Sequence, residues 1–294
     1  MAGGGDKHTS DYAVLIGPTR AELGVSLKQM IYKYRSFNTQ YKYDVFTRSE
    51  LYFAKPSEFN DPFESKPMIS GLDTLKKRQE YVTNYIKREF PSVKYKDRQA
   101  LNKKLLIRLA NLDLITNNMH TLLDNYGIFS SSEKWDQCLM WSHYSDSHKG
   151  FCIGFDFDEE FDHDMGGAHK VKYSKYYPEL TPEIFNSDSD GSNEKLFETT
   201  LATKSNDWSY EKEVRYIKLA REGGNGAYKF CETKVKEVII GANATPSAKN
   251  EIIDIITKHM PWVNIYQAMI STSKYEIYRQ EIKLTNSSSG TGNP

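Results

Sequence analysis

Cysteine is scarce in this chain of 294 residues: Cys138, Cys152 and Cys231, with no CxxC pair. That excludes a disulfide scaffold and a structural zinc finger, and it fits a reducing cytoplasm. Long apolar runs are missing too. No stretch approaches the ~20 residues that a membrane helix needs, and the opening MAGGGDKHTSDYAVLIGPTR holds none long enough for a secretory signal. The expectation is a cytoplasmic protein without membrane contact. Net charge is absent as well. Lys+Arg and Asp+Glu both number 39, which removes any global electrostatic argument for nucleic acid. There is no nucleophile elbow, no HExxH pattern, no Walker loop and no internal repeat.

What the chain has is aromatic residues. Twenty tyrosines and 14 phenylalanines sit in a sequence that is 38% hydrophobic, enough for one sizeable core. The densest stretch is 129–156, FSSSEKWDQCLMWSHYSDSHKGFCIGFD. A serine run leads into CLMWSHYS, whose apolar residues suit a short buried helix. HKG then turns the chain, and FCIGFDF alternates like a strand. Trp141 and Cys152 read as core residues. His143 and His148 are five apart, a spacing that places them poorly for a shared metal, and no metal site is expected. His143 reads as a hydrogen-bonded core histidine.

Elsewhere the pattern is mixed. Residues 1–24 and 284–294 read as disordered or irregular ends, and 25–283 as a single domain. IYKYRS alternates as a strand with Lys33 and Arg35 on one face. Residues 50–54 form a second strand, and SEFNDPFE a loop in which Asp61 forms the turn and Phe59 and Phe63 are the apolar anchors. Residues 71–125 change to helical spacing, through Leu75, Val82, Tyr85, Ile86 and Phe90, then Leu101, Leu105, Leu109 and Leu112. From Lys76 to Arg108 there are eleven Lys/Arg and three Asp/Glu. That charge reads as a solvated helix face, or as a docking face for phosphates or an acidic partner. The acidic run DFDEEFDHD lacks the register of a calcium loop, and residues 180–193 read as a surface excursion. Near the C-terminus, VKEVIIGA is a buried strand. Thr245 or Ser247 caps a helix over 248–259, and VNIYQAMI and KYEIYRQEI are closing strands.

The second dense block is KSNDWSYEKEVRYIKL, residues 204–219. Read as a loop entering a strand, it places Glu211, Glu213 and Arg215 on one face. Two carboxylates so close raise at least one pKa unless a cation intervenes. Lys212, Arg215 or a cationic ligand are the candidates for that cation.

The blocks YKYRS, LYFAKPSEFNDPFE, LMWSHYSDSHKGFCIGFD, KSNDWSYEKEVRYI and VKEVIIG resemble, in this order, a widespread bacterial family known as a domain of unknown function. More distantly, the chain resembles ADP-ribosyltransferases of the Arg–Ser–Glu type. Those enzymes carry an Arg on an early strand, a Ser-rich run on a middle strand and Glu-x-Glu on a later one. Here Arg35, the FSSS run and Glu211-Lys-Glu213 follow that order. The block after FSSS departs from the transferase signature.

That resemblance implies an α+β fold: a strongly bent, mostly antiparallel sheet, or two packed small sheets, with the helical insert on one side. It implies NAD as substrate, used by a transferase or an NAD glycohydrolase, with a toxin or phage-defence role and a protein or nucleic-acid acceptor. Glu213 would stabilise the cationic ribose, and Glu211 would position or deprotonate the acceptor. Arg35 would grip a phosphate, and Ser130 or Ser132 would shape the ribose pocket. Tyr34, Tyr144 or Trp208 would stack on nicotinamide, and His143 would lie at the same pocket. Each has a structural alternative. Arg35 pairs with Glu211 or Glu213, Ser130 to Ser132 cap the following helix, and Trp208 joins the core. Two other functions compete: a non-catalytic module that binds through the basic insert, and a hydrolase using His143 with Glu211.

Overall fold

The structure is a computed structural model that describes residues 30–157, 166–182 and 192–283. The expectations for residues 1–29, for most of the acidic run, for most of the 180–193 excursion and for the polar tail lie outside the described residues.

In chain order, β1 (Ile31–Arg35) precedes α1 (Asp44–Thr47), which buries Val45 and Phe46. β2 (Glu50–Phe53) ends where Pro56 opens a 3-10 turn, and β3 (Met68–Ile69) follows the NDPFE loop. The insert is three helices, α2 (Leu75–Glu89), α3 (Tyr95–Leu109) and α4 (Leu112–Leu123), with Thr74 and Asn111 as side-chain caps. Next come β4 (Gly127–Ser132), α5 (Cys138–Tyr144) and β5 (Phe151–Phe155). β6 (Gly167–Lys170), β7 (Lys172–Ser174), β8 (Glu179–Leu180), α6 (Ser192–Leu201) and β9 (Thr203–Ser205) lead to a 3-10 turn, Asn206–Glu211. The chain then runs through β10 (Glu213–Lys218), β11 (Gly226–Lys229), β12 (Val235–Ile240), α7 (Pro246–His259), β13 (Asn264–Ile270) and β14 (Ile277–Glu281). Thr245 caps α7, its hydroxyl accepting from Ala248 N–H at 3.2 Å.

Eight strands form one sheet in the order β14-β13-β12-β5-β1-β4-β10-β6. Every pair in it is antiparallel except β12–β13, which α7 joins as a crossover. The mixed α+β class and the mostly antiparallel sheet thus match the sequence expectation. Gly150 ends the HKG turn because nothing larger fits. A Cβ there would meet the Arg35 carbonyl oxygen at 2.0 Å.

Each face of the sheet is apolar for its own reason. On one, Phe151, Ile153, Phe155, Val214 and Tyr216 pack with Ile252 and Ile256 of α7 and with Phe46 and Phe53. On the other are two separate clusters. Tyr32, Tyr34, Cys152 and Ile239 pack with Met140 and Trp141 of α5. Ile128 and Ile217 pack with Met119 and Leu123 of α4 and with Phe197 and Leu201 of α6. Between these two clusters, on the same face, alternation places Ser130, Ser132, Glu213 and Arg215. A polar strip therefore interrupts an otherwise apolar sheet.

One expectation about packing is corrected. Phe63 is 64% exposed, so the NDPFE loop is anchored by Phe59 and not by Phe63. Helix α3 has no fully buried residue; its leucines are half-buried against the neighbouring helices, and Ile107 is exposed.

Candidate functional site

Register builds the site. Along β4 and β10, Glu213 faces Ser132 and Arg215 faces Ser130. Glu211 is not on the strand. It ends the 3-10 turn, and Lys212 takes a left-handed conformation (φ 46°, ψ 50°) before β10 begins. The expected two-residue alternation is therefore replaced by a turn, yet both carboxylates reach one cation. Lys204 of β9 lies 2.6 Å from Glu211 Oε2 and 3.3 Å from Glu213 Oε2. Arg215 donates from Nε to Glu213 Oε1 at 2.8 Å and from Nη2 to Glu213 Oε2 at 3.0 Å. Its Nη1 donates to the Leu201 carbonyl at 2.6 Å.

A third carboxylate comes from the NDPFE loop. Glu64 accepts from Arg215 Nη2 and lies 3.4 Å from Lys204 Nζ. Tyr144 donates to Glu211 Oε1 at 2.6 Å, and the Asn60 side chain reaches the Tyr144 hydroxyl. Ser132 donates to the Glu211 carbonyl at 2.6 Å, and the Ser130 side chain bonds the Glu213 carboxylate. The Glu213 N–H donates to the Tyr173 hydroxyl at 2.8 Å. Phe59 lies under the Arg215 guanidinium, 5.2 Å away.

All five charged side chains are at most 5% exposed, so their charges interact with little screening. Three carboxylates face two cations, a formal excess of one negative charge. Burial raises the Glu213 carboxyl above its ordinary range and the Glu211 charge adds to that, while Lys204 and Ser130 oppose it. For Lys204, burial works against the ammonium, but the Glu213 and Glu211 carboxylates outweigh it and hold the group above its usual range. Burial pulls Arg215 down to about 9, which leaves it charged at neutral pH.

The other sequence candidates divide. Trp208 and Tyr210 are half-buried and His143 is exposed, and their ring centroids lie 6.1–6.2 Å apart beside the charge cluster. His143 is thus a surface residue and not a core histidine, because α5 turns that face to solvent. Trp208 is likewise not core; the Lys204 ammonium lies 5.0 Å from its ring centre. Tyr34 is buried edge-on against Trp141 and spends its hydroxyl on the Lys134 carbonyl, so it stands away from any open surface. The serines do not cap α5, which has no side-chain cap. They belong to β4.

Arg35 stands apart from the carboxylates. It shares a face of β1 with Lys33, opposite to the face of Tyr32 and Glu213, and the charge acting on it is Asp44. The ion pair offered to Arg35 as its structural alternative is made by Arg215. Lys33 bridges the two regions: its ammonium donates to the Ser130 carbonyl at 2.6 Å, where β1 leaves β4 after a single pairing at Tyr32 and Ser132. Burial and Arg35 push Lys33 down to about 7, against Glu213 and Glu211.

Glu64, Lys204 and Lys33 escaped the sequence reading as site residues. Lys204 opens the KSNDWSYEKEVR block and Glu64 closes FNDPFE, so both motifs drew attention while these residues in them did not. No group of three or more His, Cys, Asp or Glu placed to hold a metal occurs among the described residues. No helix among them is long and apolar enough to cross a membrane.

Residues 140–216 match a family described as "Protein of unknown function (DUF2971)". The matched segment holds Tyr144, Lys204, Glu211, Glu213 and Arg215, while Glu64 lies before it. No curated protein and no solved structure matches the chain.

Proposed function

We propose that the protein is an NAD-using enzyme of the ADP-ribosyltransferase type, or an NAD glycohydrolase. The observation that carries this reading is the buried carboxylate cluster with one excess negative charge, bordered by the partly exposed rings of Trp208, Tyr210 and His143. A cationic sugar ring next to an aromatic leaving group is what such a surface stabilises. In the reaction, the bond between ribose C1′ and the nicotinamide nitrogen breaks, and the electron pair leaves with nicotinamide. Glu213 faces the positive charge that remains on the ribose. An acceptor oxygen or nitrogen then bonds to C1′ and gives its proton to Glu211, which Tyr144 and Lys204 hold in place. Water as acceptor makes the enzyme a glycohydrolase; a protein or nucleic-acid group makes it a transferase. Ser130 orders Glu213. A toxin or phage-defence setting agrees with such chemistry.

The test is nicotinamide release by purified protein beside Glu213→Gln, with cell lysate as acceptor. Release by the wild type and at least ~100-fold less from the variant supports the assignment. Silence from the folded wild type overturns it.

One observation favours a second reading, a non-catalytic module that binds through the insert. Helix α3 buries no side chain completely, and Leu106 and Ile107 share one of its faces with Arg98 and Lys103. Reversing Lys103 and Lys104 to Glu should then advance elution from a heparin column well beyond what reversal of two other exposed lysines does. Equal shifts would remove the support.

A further inference from the structure

Glu64 is placed at some conformational cost. Its N–H is tied to the Asp61 carbonyl at 3.2 Å, and the next residue, Ser65, is held left-handed at φ 55°. Non-glycine residues avoid that conformation, and the buried Ser65 hydroxyl has no hydrogen-bond partner among the described residues. The loop accepts this and delivers a carboxylate to two cations that already have partners. Arg215 already donates to Glu213 and the Leu201 carbonyl, and Lys204 already pairs with Glu211 and Glu213. Without Glu64 the cluster would hold two cations and two carboxylates and be neutral. With it, three carboxylates share two cations.

We propose that Glu64 is a positioning residue for Glu213: by occupying the same two cations, it leaves Glu213 with negative charge that they do not cancel, available to a cationic group of a ligand. That the cation is a ribosyl ring rests on the function proposed above; the charge relation between Glu64 and Glu213 does not. The groups around Glu213 are Glu64, Glu211, Lys204, Arg215 and Lys33, with Ser130 on its carboxylate and Tyr173 on its N–H. Lys33 is the next cation, and burial beside Arg35 holds it near 7, so above neutral pH it does not discharge the cluster.

The experiment follows the carboxyl carbons of 13C-glutamate-labelled full-length protein against pH by NMR, with Glu213 assigned from Glu213→Gln. In the wild type, Glu213 should titrate above the ordinary value of about 4.3. Glu64→Gln removes a like charge and should lower the Glu213 midpoint by roughly one pH unit or more. Glu64→Asp keeps the charge and should leave the midpoint within about half a unit of the wild type. An unchanged midpoint in folded Glu64→Gln overturns the proposal. So does a wild type in which Glu213 does not titrate above the ordinary range, a result that does not need Glu64→Gln to fold. On the same samples, Glu64→Gln should release nicotinamide at least about tenfold more slowly with KM unchanged, its acid limb following the Glu213 midpoint. If the wild type releases none, the enzymatic reading falls, and the titration still decides the role of Glu64.

Discussion

Lys204→Met is the sharpest perturbation the cluster offers. Methionine keeps most of the side chain's length, one atom short, and removes its charge. The ammonium lies 2.6, 3.3 and 3.4 Å from three carboxylates. At an effective dielectric of about 20, each contact amounts to about 5–6 kcal/mol before the cost of drying the ammonium is subtracted. The loss is capped, because a buried carboxylate left unpaired takes up a proton. The wild-type cluster carries one excess negative charge and the variant two, so one proton restores the balance. At pH 7, protonating a carboxyl whose ordinary value is ~4.3 costs about 2.7 units at 1.36 kcal/mol each, or roughly 4 kcal/mol. That agrees with the ~3–5 kcal/mol seen when one partner of a buried pair is removed. The sign with pH follows. The variant's folded state binds one more proton than its unfolded state above ~4.3, so its deficit should shrink by about 1.4 kcal/mol per unit as pH falls from 7 toward 5. Urea unfolding followed by tryptophan fluorescence at pH 5, 6 and 7 reads both quantities. A deficit below ~1 kcal/mol at pH 7, or one that does not change with pH, would refute the electrostatic account.

Two further changes test other parts of the structure. Lys33 has a folded value of about 7, below its unfolded ~10.4, so the native state binds fewer protons between those values and stability rises with pH across that window; Lys33→Met should flatten this rise in unfolding measurements between pH 7 and 10. Trp141 is fully buried and donates from Nε1 to the Trp135 carbonyl at 2.7 Å; Trp141→Ala should cost about 3–5 kcal/mol in urea, and a loss under ~1 kcal/mol would deny it a core role.

Periodicity carried much of the fold. The strands at β1, β2, β5, β12, β13 and β14, the helical insert and the Thr245 cap are local patterns, and each was legible from residues a few positions apart. The site was legible in part for the same reason. Ser130, Ser132, Glu211 and Glu213 sit in motifs whose neighbours announce them. What the sequence could not show was depth and pairing across the sheet. Glu64 and Lys204 are ordinary charged residues in the chain, and they become site residues because a loop and the short strand β9 fold over β10. Arg35 misled in the opposite direction. Its place on a strand was right, but alternation puts it on the face away from Glu213, and the guanidinium that holds Glu213 belongs to Arg215, two residues along the same strand. Glu211 showed the limit of alternation itself, since a left-handed Lys212 breaks the strand where an extended run was expected.

A polar strip between two apolar clusters raises the question of what the cluster is for. A buried ion network contributes little net stability compared with apolar side chains of the same volume, because desolvation offsets most of the attraction. Two changes made together decide the matter. Lys204→Met with Glu211→Gln removes one cation and one carboxylate, leaving Glu64, Glu213 and Arg215 with the same single excess charge as the wild type. The amide oxygen that Glu211→Gln introduces would still accept from Tyr144. If the cluster is a charge balance that the fold tolerates, the double variant should lie within about 1–2 kcal/mol of the wild type, and the coupling between the sites should be about 2–3 kcal/mol. Stability recovered in this way, with nicotinamide release still lost, would mean that the charges are kept for chemistry and that the fold does not need them. A double variant no more stable than Lys204→Met alone would mean the reverse: Lys204 would then be a structural post whose loss Glu211 cannot relieve, and the cluster would be part of the core.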